Sequence, residues 1–150
     1  MERITTSIGI KTVHLFTYLK TDNMKMILTN AETLQFIHSA LCNGGLNELN
    51  MCGVVLDVSD EDYAQAREKL KQEDICMEDV RVQILRSKKP LEFYDREGQE
   101  SLQFTLEDAK KRLSTEDALE VLLAYKNEND DSETGWQLLQ YCLYGEVIFG

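Results

Sequence analysis

From Thr29 onward, apolar positions recur three and four apart in some stretches and two apart in others. Leu34, Ile37, Ala40 and Leu41 mark one face of a helix. Thr29 and Glu32, three apart at its start, make a capping-box pattern, in which the hydroxyl accepts from the Glu32 amide and the carboxylate reaches back. Asn43-Gly44 predicts the stop, because both residues tolerate left-handed backbone. The segment is then expected to run through a loop into a strand over 50–58, apolar on both parities from Val54 and so buried on both faces. Ser59 predicts the next N-cap, with Asp60, Glu61 and Asp62 at the positive end of the helix dipole and Tyr63, Ala66 and Leu70 facing inward.

Between Met77 and Pro90 two periodicities compete. Met77, Val80, Ile84 and Leu85 fit a helix, while Val80, Val82 and Ile84 alone fit a strand. Acidic residues first and basic residues last favour the helix, which must end before the proline. Leu91 and Phe93 facing Leu102 and Phe104, with Glu97-Gly98 near the turn, predict a β-hairpin. Two capped helices follow over 105–113 and 114–125. A polar loop, a short apolar helix from Trp136 and a closing strand over 146–149 complete the pattern. Ile4, Thr6, Ile8 and Ile10 give residues 1–25 the character of a strand-like N-terminal extension, with Met24 and Met26 as alternative starts. Residues 26–150 read as one domain. Helices and a hairpin without regular strand–helix alternation predict an α+β fold, about five to six helices on a small, mainly antiparallel sheet with its hairpin near 91–105.

Composition narrows the class. At 150 residues, 43% hydrophobic and 29% charged, the chain has enough apolar side chains to form a core without disulfide staples. No apolar run approaches the roughly 20 residues that cross a bilayer, and residues 1–20 lack the run and cleavage site of a signal peptide. A cytoplasmic location with free thiols is expected for Cys42, Cys52, Cys76 and Cys142. The net charge of −11 is concentrated in two stretches, nine acids against three bases over 57–79 and nine against four over 107–133. Such a surface repels nucleic-acid phosphates and anionic membrane. It is suited to a protein partner or, in a sharper form, to mimicry of nucleic acid toward a basic binding protein.

Candidate chemistry is sparse. His38 and Cys42, one helical turn apart, share a face, and the expected strand brings Cys52 within reach. Those three would be the ligands of a metal or the parts of a thiol–imidazole nucleophile. Against this, no Cys-x-x-Cys pair exists, and the negative end of a helix raises a thiol's pKa. The competing expectation buries Cys42 beside Leu34 and Leu41. No cofactor, metal or catalytic residue is therefore assigned. Asn43-Gly44-Gly45 leaves a helix, the wrong polarity for a phosphate cradle, and residues 57–68 carry Asp62 where a calcium loop needs glycine. Arg81, Arg86, Lys88, Lys89, Tyr94 and Arg96 interrupt the acidic pattern and are the expected interaction residues, since Arg and Tyr dominate interface hot spots. Trp136 is expected in the core.

The segments "MILTNAETLQFIHSAL", "MEDVRVQIL" and "FYDREG…FTLED" together resemble small single-domain bacterial proteins of unknown function. That resemblance spans about residues 26 to 115, implies a bacterial cytosolic protein and lends no catalytic residue. The function expected from the sequence is a non-catalytic interaction or regulatory module, with a thiol- or metal-dependent enzyme as the competing class.

Overall fold

A computed structural model gives the arrangement of residues 24–71 and 75–150. The strand expected near the N-terminus lies outside these residues. Among the described residues, seven helices pack with one small sheet: α1 Asn30–Cys42, α2 Gly45–Met51, β1 Val54–Leu56, α3 Asp60–Leu70, α4 Met77–Arg86, β2 Leu91–Asp95, β3 Glu100–Phe104, α5 Leu106–Leu113, α6 Leu119–Lys126 and α7 Ser132–Tyr144. The fold is α+β, with antiparallel strands in the order β1–β2–β3.

Four of the seven helices begin where a side chain satisfies free helix amides. Thr29 and Glu32 form the capping box of α1, and Thr105 and Asp108 form that of α5. Ser59 caps α3, and Asp131 caps α7 by accepting from the Thr134 amide. In the hairpin, Leu91 pairs with Phe104 and Phe93 with Leu102, and the Phe93 and Phe104 rings stack with centroids 6.0 Å apart. These phenylalanines and Leu91 are fully buried, so the sheet's inner face joins the helical core.

Helix α7 is the central support, packing against α1, α2, α5 and α6. Leu138, Leu139 and Cys142 are fully buried on it, and burial raises the pKa of the Cys142 thiol well above its ordinary value. Cys142 is thus the small core residue its apolar neighbours suggested. Trp136 packs against the core partly buried, its indole N–H buried without a partner among the described residues.

Several expectations are corrected. Gly45 does not open a loop but begins α2, so the strand is confined to Val54–Leu56. Gly44, at φ +99°, turns the chain from α1 into α2 in the left-handed conformation. A Cβ on Gly45 would stand 2.5 Å from the Gly135 carbonyl carbon, so the two glycines let α2 and α7 cross backbone to backbone. Asn43 secures the corner: its Oδ1 accepts from the Gly45 amide at 3.2 Å and its Nδ2 donates to Tyr125 Oη at 3.0 Å. The helix expected over 114–125 starts at Leu119, because Thr115 Oγ1 turns back to donate to the Arg112 carbonyl. Helix α7 starts at Ser132, four residues before Trp136, because Asp131 supplies its cap. The chain end forms no strand. Gln140, fully buried, instead accepts from the amides of Ile148 and Phe149, both at 2.8 Å.

Candidate metal centre

Helix α1 buries Leu34, Phe36, Ile37, Ala40 and Leu41, which leaves His38 and Cys42 along its flank. Helix α4 buries Val80, Val82, Ile84 and Leu85 and packs directly on α1. Its first turn carries Cys76 at the N-cap and Asp79 three residues later, the spacing that lets cap and third-position side chains meet. Where α1 and α4 meet, His38 Nε2 lies 3.0 Å from Asp79 Oδ1. The second carboxylate oxygen accepts from Cys76 Sγ at 3.1 Å. On the far side of the imidazole, Cys42 Sγ lies 3.6 Å from Nδ1.

Imidazole nitrogen, thiol sulfur and carboxylate oxygen thus converge. Ligand atoms of His38, Cys76 and Asp79 lie within 4.8 Å of one another. A zinc-class ion bonded at roughly 2.0–2.3 Å holds its donors about 3.5 Å apart, so these atoms need to close by only about an ångström. His38 and Asp79 are 38% and 40% exposed at the side chain, which leaves them freedom for that movement.

The local field distinguishes nucleophilic from metal chemistry. The hydrogen bond to Asp79 holds the proton on Cys76 and raises its pKa, and the same bond, followed by that from His38, lowers the pKa of Asp79. Partial desolvation and then the negative charges of Glu78 and Asp79 raise the pKa of the Cys42 thiol. Cys42, His38 and Asp79 stand in the order of a thiol–imidazole–carboxylate relay, but the acids around it oppose thiolate formation. The same negative field attracts a divalent cation, whose own charge reverses the local pKa logic.

Of the residues expected from the sequence, His38 and Cys42 meet. Cys42 is exposed rather than buried beside Leu34 and Leu41, because α1 ends there at the rim of the helix pair. Cys52 is at the C-cap of α2, on the side of Tyr144, and the place expected for it is taken by Cys76 and Asp79. Those two were missed because 41 residues separate His38 from Asp79. The available signal was Cys76-x-x-Asp79 at a helix start, the acidic equivalent of His38-x-x-x-Cys42.

The chain matches no family model, no curated protein and no solved structure.

The expected interaction residues do not share one state. Lys89 is engaged by Asp62 at 3.1 Å and by Gln65 on α3. Arg96 donates to the Asn50 carbonyl at the end of α2, at 3.1 Å. Arg81 has a buried Nε without a partner among the described residues, Tyr94 is half-buried on the central strand, and Lys88 lines a shallow cleft beside Lys110 and Thr105. Arg86 is exposed, and its Nη1 donates to Gln83 Oε1 at 2.7 Å.

Proposed function

We propose that the protein is a non-catalytic binding module that takes up a zinc-class divalent cation on His38, Cys76 and Asp79. The observation that carries this reading is the convergence of nitrogen, sulfur and oxygen donors at the junction of α1 and α4. Mixed thiolate, imidazole and carboxylate donors suit zinc and its neighbours, whereas magnesium and calcium prefer oxygen alone. Cys42, next to Nδ1, would fix the ring's tautomer and orientation while Nε2 faces the ion. The ion would clamp α1 to α4, which is a regulatory role rather than a catalytic one.

The test is calorimetric titration of the reduced protein with zinc. One site per chain is expected, weakened by about a hundredfold in Asp79→Asn and in Cys76→Ser, since each removes a ligand. Circular dichroism should show both variants folded, because neither side chain belongs to the core. Absence of saturable binding to the unaltered protein would remove the proposal, as would variants that bind zinc as tightly as the unaltered protein.

A further inference from the structure

The metal site opens onto a cleft of about 350 Å³, which His38 and Asp79 help to line. That volume lies at the small end of the ~300–1,000 Å³ typical of small-molecule sites. Its walls carry Leu34, Leu70 and Val82, all apolar, with Gln35 as a neutral hydrogen-bonding group. Arg86 also lines it. Asp79 and Arg86 are seven residues apart on α4, two turns and a rise of about 10 Å, so the metal donors and the guanidinium stand at opposite ends. In a protein of net charge −11, Arg86 makes no ion pair among the described residues. One of its nitrogens holds Gln83, leaving the rest of the planar fork for a carboxylate.

Resting on the metal reading above, we infer that this cleft binds a small acid with a carboxylate at one end, a neutral oxygen donor at the other and an apolar group between. The polarity follows from charge. One thiolate and one carboxylate already neutralise a divalent ion, so its open position favours a carbonyl or hydroxyl over a second anion. The anion then belongs at Arg86. Three protein ligands with a free position are the pattern of metal sites that accept an exogenous ligand, whereas closed structural sites use four. N-acyl amino acids with aliphatic side chains have this arrangement: carboxylate for Arg86, amide carbonyl for the ion and side chain for Leu34, Leu70 and Val82.

The test uses the full chain loaded with cobalt(II), whose visible spectrum reports its ligands, with N-acetyl-leucine as the probe. A saturable spectral change is expected with N-acetyl-leucine, and a response at least about tenfold weaker with N-acetyl-leucine amide, which lacks the carboxylate. Arg86→Gln should keep the cobalt spectrum while losing affinity for the acid by a similar factor. Failure to load cobalt would overturn both the metal reading and this inference. Cobalt loading without a response to the acid would overturn the inference alone, and so would an unchanged affinity in Arg86→Gln.

Discussion

At the scale of single residues, small changes at Gly45 and Gly135 should be disproportionately costly. A Cβ at either position meets a fixed neighbour, Gly135 backbone in one case and the Asn43 side-chain amide in the other. Gly→Ala within an exposed helix usually gains stability, about 1 kcal/mol. Here overlap with backbone outweighs that gain, because neither helix can yield without disturbing α7. Gly45→Ala is expected to lower stability by about 1–3 kcal/mol, read as a reduced urea midpoint at unchanged slope. Asn43→Ala should also destabilise, because it frees the Gly45 amide and the Tyr125 hydroxyl together. The sequence marked Asn43-Gly44 as a helix stop, and that was legible because left-handed backbone, which Gly44 adopts, needs such residues. The close crossing with Gly135 was not legible, since it depends on a contact 90 residues away.

At the scale of elements, local chemistry carried most of the fold. Helices α1, α3 and α5 follow from caps and periodicity within each segment, α4 from periodicity and the order of its charges, and the hairpin from its alternation. Helix α2 escaped notice because it is short and is held by α7 and β1 rather than by its own pattern. The expected closing strand failed for a related reason: Gln140 supplies an acceptor that no neighbouring strand had to provide. The caps also make a pH-dependent prediction. Hydrogen bonds from Thr105 lower the pKa of Asp108 below its ordinary value. A carboxylate whose folded pKa is depressed contributes stability above its unfolded pKa of about 3.9 and loses it as pH falls through the folded value. Asp108→Asn should therefore lower the urea midpoint near neutral pH, and the difference from the unaltered protein should shrink below about pH 4. A difference that is constant with pH would assign the loss to something other than the carboxylate's charge.

At the scale of the whole molecule, α1 and α4 are 34 residues apart in sequence, and the proposed ion would act as a cross-link between them. The sequence made one of the three ligands visible, His38, with Cys42 beside it, but helix packing chose the other two, and no spacing rule links residues 38 and 79. An ion that binds only the folded state stabilises it in proportion to the logarithm of its excess over Kd, about 2.7 kcal/mol at a hundredfold excess. For a chain of this length that corresponds to a rise in Tm of about 5–10 °C. Zinc should therefore raise Tm, and a chelator should return it to its starting value. Asp79→Asn should abolish the rise, while Cys52→Ser should retain it, which separates the observed cluster from the one that spacing alone suggested. Magnesium at the same concentration serves as the control for the −11 net charge, because it screens acidic residues without preference for thiolate or imidazole. An equal rise with magnesium would make the effect one of general charge neutralisation; a rise confined to zinc would place it at His38, Cys76 and Asp79.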